Sequence, residues 1–147
     1  MQFEIPGKPQ GKARARTVYN ENVGRVMSYT PEQTVSYENL IKVCYQNAEC
    51  RKEWFDKEPL SMHITAFFEI PKSASKKNRA KMLNNELFPT KKPDADNIAK
   101  VVCDALNKVA YKDDTQIVDL HVLKAYTENQ PRVMVGIFDY VEDEEDG

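Results

Sequence analysis

The chain has 147 residues, 41% hydrophobic and 30% charged, which fits one globular domain with a real core and leaves little for a second. No apolar run approaches the roughly 20 residues that cross a bilayer, and the opening Met1–Lys8 lacks the regions of a signal peptide. The formal net charge of −2 conceals an asymmetry: six acids fall within residues 139–147, and without that stretch 21 basic residues face 17 acidic ones. The body is therefore mildly basic. Residues 141–147 read as an acidic, disordered tail behind a domain of residues 1–140.

In chain order, a short strand over Gln2–Ile5 leads into a Pro/Gly-broken basic stretch carrying Lys8, Lys12, Arg14 and Arg16. Thr17–Tyr19 and Arg25–Ser28 flank a Gly-containing loop and predict a hairpin. Thr30 as N-cap, Pro31 at the first helical position and Gln33 closing a capping box announce a helix. Tyr37, Leu40, Ile41, Cys44 and Ala48 continue it at helical spacing to about Glu49 or beyond. Strict alternation over Leu60–Ile70 predicts a strand, which Pro71 ends. Lys76–Leu87 reads as a polar, basic helix with Ala80, Leu83 and Leu87 facing inward. Ile98, Val101, Val102, Ala105, Leu106 and Val109 form the apolar stripe of the next helix, capped by Asp94 or Asp96. Two strands close the chain, Gln116–Tyr126 and Arg132–Tyr140, the second apolar on both faces and so central. The order implies an α+β layered single domain, with helices packed on a mixed sheet. Cys44, Cys50 and Cys103, odd in number and without ligand spacing, read as reduced, largely buried thiols of a cytosolic protein. His63 and His121 stand isolated in strand-like segments and offer no His-rich zinc site.

The chemistry concentrates in two acidic clusters, Lys92-Pro-Asp-Ala-Asp-Asn97 and Lys112-Asp-Asp-Thr-Gln116, joined by one short helix. They gather four carboxylates, Asp94, Asp96, Asp113 and Asp114, which repel one another unless a cation intervenes, and hard oxygen ligands of this kind suit Mg²⁺ or Mn²⁺. Asp94-Ala-Asp96 taken alone is as readily a cap or turn former. An EF-hand is excluded, because Ile98 and Ala99 stand where a ligand and a Gly are needed. There is no P-loop, no HExxH, and no (D/E)-x-K triplet after Pro93-Asp94 on a nearby strand. Asp96, Lys100 and Asp104 step by four along one helix face, either as a salt-bridge ladder or as a lysine held beside metal ligands to meet a phosphate. Ahead of the acids, Lys72, Lys76, Lys77, Lys91 and Lys92 frame them with positive charge suited to a polyanion.

Lys92-Pro-Asp-Ala-Asp-Asn-Ile-Ala-Lys-Val-Val-Cys-Asp-Ala-Leu-Asn107, followed by Ala110-Tyr-Lys-Asp-Asp-Thr-Gln-Ile117, resembles the signature of the RusA family of Holliday-junction resolvases. Pro6-Gly-Lys-Pro9 with Lys12, Arg14 and Arg16 is similar to that family's opening, and the likeness reaches about Lys124, weakest over residues 30–60. Lys108 stands where many members carry Gly. The resemblance implies a homodimeric, Mg²⁺-dependent endonuclease that nicks four-way junctions symmetrically in recombination and repair, in a bacterial and often prophage-borne setting. It matches Asp94, Asp96 and Asp114 to the family's essential acids and Lys100 to its essential lysine, with Asp113 and Asp104 at further acidic positions.

Chemistry and resemblance agree on roles. Asp94, Asp96 and Asp114 are expected as metal ligands, with Asp113 a fourth ligand or a neighbour of one, and Lys100 at the scissile phosphate or the attacking water. Lys8, Lys12, Arg14, Arg16, Lys72, Lys76, Lys77, Lys91 and Lys92 are expected along DNA backbones. The Leu60–Ile70 strand and the helix from residue 31 are alternative sources of a dimer interface. Two other functions fit less of the pattern: a metal-dependent nuclease of different structure specificity, and a non-catalytic nucleic-acid-binding module whose acids only cap helices.

Overall fold

A computed structural model describes residues 1–48 and 54–142. The elements follow the expected order: β1 (Gln2–Pro6), β2 (Arg16–Asn20), β3 (Arg25–Tyr29), α1 (Glu32–Gln46), β4 (Leu60–Glu69), α2 (Lys76–Leu83), α3 (Ala95–Leu106), β5 (Ile117–Thr127) and β6 (Arg132–Asp139). A single 3-10 turn, Asp114–Gln116, leads into β5. Four strands form one sheet in the order β1-β6-β4-β5, and among the described residues β2 pairs only with β3. Within the four-stranded sheet β4 and β5 run parallel, while β1–β6 and β4–β6 are antiparallel, so the sheet is mixed. β6 lies between β1 and β4, as its two-sided apolar pattern requires.

Strand alternation decides which residues meet the helices. Phe3 and Ile5 of β1, Met62, Ile64, Ala66 and Phe68 of β4, and Val133, Val135 and Ile137 of β6 are buried. They share one cluster with Tyr37, Ile41 and Tyr45 of α1 and with the stripe of α3. Ile98, Val101, Val102, Ala105 and Leu106 are all fully buried. The other face of the sheet, with His63, Phe67, His121, Leu123 and Phe138, is left half-buried to exposed.

Several boundaries differ from expectation for identifiable reasons. α1 begins at Glu32 with Pro31 as N-cap and no side-chain capping bond, so Thr30 and Gln33 form no box. The helix also stops at Gln46 with Asn47 as C-cap, short of Glu49, which lies outside the described residues together with Cys50. α2 ends at Leu83 and buries nothing: Ala80, Leu83 and Leu87 face solvent, and Asn85 at φ 58° turns the chain away. Too polar to carry a wide apolar stripe, α2 still packs against β5, with Lys81 and Met82 half-buried. Val109 packs against the core from beyond the end of α3. Cys44 and Cys103 are free and only partly buried; burial pushes the Cys103 thiol up to about 11, which leaves it unreactive. Residues 143–147 of the acidic tail lie outside the described residues.

The turn after α3 contains Lys108 at φ 63°, a left-handed conformation that suits glycine. The turn is fixed on both sides, with the Val109 and Ala110 amides donating to the Leu106 carbonyl and the Lys108 amide to that of Tyr111. Lys108→Gly is therefore expected to stabilise the fold by about 0.5–1 kcal/mol, the relief of side-chain strain exceeding the added chain entropy. A higher urea midpoint at unchanged slope checks this; an unchanged or lower midpoint refutes it.

Candidate active site

The two acidic clusters reach the surface by different local devices. Asp94 is the N-cap of α3, yet its side chain makes no capping bond. Asp96 occupies the first turn, where the helix dipole favours an anion. Both are exposed, and among the described residues neither carboxylate has a hydrogen bond or an ion pair. They are free to take a cation.

Lys100 points to the same solvent side of α3 and forms no ion pair with Asp96 or Asp104, so the salt-bridge ladder is absent. Asp104 is instead engaged by Lys12, whose ammonium lies 3.3 Å from its carboxylate and also bonds Glu38 of α1. Although burial opposes its charge, these two acids raise the Lys12 pKa above its ordinary value. Lys12 thus ties the basic opening segment to α1 and α3, a role that its place in a run of cations did not reveal. The partner acids Glu38 and Asp104 sit on separate helices, and no spacing rule links them to Lys12.

The second cluster is organised by a capping box. The Asp113 carboxylate accepts the Thr115 amide at 2.9 Å, and the Gln116 side chain accepts the Asp113 amide at 3.0 Å. Gln116 also donates to the Phe55 and Glu58 carbonyls, which anchors the turn to the segment before β4. Asp114 lies close enough to Asp113 and Asp104 to feel their charge. Burial first, then Asp113 and Asp104, push its carboxyl above the ordinary range. The Thr115 backbone amide and the neighbouring Asp114 carboxyl hold Asp113 below it.

No three of Asp94, Asp96, Asp113 and Asp114 bring ligand atoms within 4.8 Å of one another among the described residues. The donor chemistry nevertheless fits a hard divalent cation: oxygen ligands only, and two carboxylates without partners among the described residues.

Beside the acids lies a cleft of about 730 Å³ lined by Gly11, Arg14, Arg16, Lys92, Asp94 and Asn97. Its wall is the opening segment, docked on α3 by a 2.9 Å bond from the Lys12 amide to the Asn97 carbonyl. The approach is so close that a Cβ on Gly11 would come within 2.9 Å of that of Asn97 and 3.1 Å of that of Pro93. A second cleft of about 350 Å³ gathers Lys8, Lys72 and Lys91, with Lys92 lining both. Lys124 of β5 secures this loop by donating to the Lys91 carbonyl at 2.6 Å. Lys76 and Lys77 are exposed at the start of α2 and line neither of these clefts.

A mixed-sheet α+β domain that sets the Asp94 carboxylate, unpartnered among the described residues, at the lip of a cationic cleft has the make-up of an enzyme acting on a polyanion. The chain belongs to the endodeoxyribonuclease RusA family, whose model matches residues 6–138. It is also similar to the uncharacterized protein YqaN of Bacillus subtilis (strain 168), 37% identical over 139 residues, spanning 93% of this chain and 94% of that one. No helix among the described residues is long and apolar enough to cross a membrane.

Proposed function

We propose that this protein is a Mg²⁺-dependent endonuclease of the bacterial cytoplasm that resolves four-way DNA junctions by paired, symmetric nicks. One observation carries the reading: Asp94 lines the same cleft as Arg14, Arg16 and Lys92 and has no partner among the described residues. A metal site and a phosphate track thus meet at one place. Asp94, Asp96 and Asp114 hold the ion, with Asp113 braced beside them by the capping box. When bound, Mg²⁺ or Mn²⁺ supplies an activated water and relieves charge on the phosphate. Arg14, Arg16 and Lys92 orient the backbone, and Lys8, Lys72 and Lys91 extend the contact without reading sequence.

Lys100, one turn along α3 from Asp96 and without an ion pair among the described residues, stabilises charge as it develops on the scissile phosphate. Lys100→Ala is expected to lower the single-turnover rate by roughly 10²-fold while changing junction Kd by less than about threefold. A loss confined to Kd would make Lys100 an ordinary backbone contact.

Two equivalent strands must be cut and each chain carries one acidic site, so the working unit is a two-fold symmetric homodimer. Sedimentation with and without junction checks this; a monomer in both that still nicks opposite strands in concert refutes it. The activity is tested with labelled junction, duplex and single strand in Mg²⁺, Mn²⁺ and EDTA. Cleavage of the junction alone, lost in EDTA, is the expected result. Equal cleavage of duplex would leave a nuclease of other specificity, and no cleavage at all would leave a binding module.

A further inference from the structure

We propose that Asp119, His121 and His63 form a second metal site, for a borderline divalent ion best matched by Zn²⁺, on the sheet face opposite the helices. The two histidines are 58 residues apart in sequence, but the parallel register of β4 and β5 sets them directly opposite each other. Their rings stack with centroids 4.5 Å apart and planes 21° from parallel. Asp119, two residues before His121, points to the same face and lies across from Ser61. The three side chains each offer a ligand atom, and these atoms all lie within 4.8 Å of one another.

The surroundings resemble those of a built site. The Ser61 hydroxyl lies 2.7 Å from Asp119 Oδ2 and 3.1 Å from His63 Nε2, and the residue is only 8% exposed. It holds the carboxylate in place. The other Asp119 oxygen, Oδ1, is 2.9 Å from His121 Nε2. Two ligands on a tetrahedral ion at Zn–N and Zn–O distances of about 2.0–2.1 Å stand roughly 3.3 Å apart. The pair must open by only a few tenths of an ångström. On the other side of β4, His63 is opposite Gly136. The Phe138 ring occupies the space there, too close to admit a Cβ on Gly136, and meets the His63 ring edge-on at 6.1 Å. Phe138 therefore buttresses the imidazole.

Two imidazoles and one carboxylate favour Zn²⁺, with Co²⁺ and Ni²⁺ behind it, over the hard Mg²⁺ that the α3 acids suit. Three protein ligands leave one position open to water. The site is separate from the acidic one: Met62 faces α3, with its sulfur 3.8 Å from that of Cys103, and the adjacent His63 faces the opposite way. A site that joins β4 to the edge strand β5 also clamps the sheet.

The test uses the full chain, with Zn²⁺ titrated against a chromophoric chelator in excess Mg²⁺ and Co²⁺ followed by its visible absorption. Wild type is expected to take one Zn²⁺ per chain, and its Tm should rise by roughly 5–10 °C at about 100-fold excess over Kd. His63→Gln and His121→Gln should each weaken binding by at least about 100-fold, since loss of an outer partner alone costs 10–100-fold. Ser61→Ala should weaken it about tenfold, whereas Asp94→Asn should leave it unchanged. His121 is exposed, so its variant keeps the fold, which circular dichroism verifies. Absence of Zn²⁺ binding by wild type, or binding that survives both histidine substitutions, overturns the proposal.

Discussion

Asp94→Asn and Asp96→Asn are each expected to lower junction cleavage by about 10³-fold or more, with junction affinity changed by less than about twofold. The magnitude follows from what the carboxylates are proposed to hold. A divalent ion at a phosphate contributes several kcal/mol of charge stabilisation, and each 1.36 kcal/mol is a factor of ten in rate. Asparagine keeps the shape of the side chain and removes the charge, so the fold is preserved. Neither residue is buried or engaged by a protein partner among the described residues, which leaves no structural penalty to confuse the result. Affinity is spared because it resides in the cations of the two clefts. Single-turnover rates and Kd measured in Ca²⁺ separate the two quantities. Near-normal turnover in both variants would remove α3 from the chemistry. An equal loss in rate and affinity would make these acids part of the binding surface instead.

How much of this could be read from the chain depends on whether local pattern or register carries the information. The α3 stripe and the β4 alternation were plain, because each repeats at its own period and every apolar position in it but Val109, which packs on the core from beyond α3, is buried. The central place of β6 followed from its two-sided apolar pattern in the same way. α2 packs against β5, but not by the face its period suggests: Ala80, Leu83 and Leu87 face solvent, while Lys81 and Met82 are half-buried. The acids were visible by their density, but the role of Lys12 was not. Its partners Glu38 and Asp104 lie 26 and 92 residues away, on two different helices. The histidines are the sharpest case. Each is solitary in its segment, and only the parallel pairing of β4 with β5 brings them together. Such pairing leaves no mark at either position.

Each bound protomer is expected to contribute a slope of log K against log salt near −5, a fall of about 10³-fold in junction affinity between 50 and 200 mM salt. The dimer is therefore expected to show about −10 and about 10⁶-fold. Six exposed cations line the two clefts: Lys8, Arg14, Arg16, Lys72, Lys91 and Lys92. If each neutralises one phosphate, about 0.9 counterions are released per contact, and a slope near −5 results. Lys12 is left out of the count because Glu38 and Asp104 already hold its charge. Removing one cleft cation, as in Arg14→Gln or Lys91→Gln, should make the slope shallower by about 1 for each bound protomer and weaken binding similarly on every junction sequence. Lys12→Gln should scarcely change the slope and should lower stability instead, since it leaves Glu38 and Asp104 without their shared cation. Fluorescence anisotropy across a salt series, run in Ca²⁺ on the three variants, distinguishes these outcomes. A slope that moves with Lys12 and not with Arg14 or Lys91 would place the DNA elsewhere on the molecule.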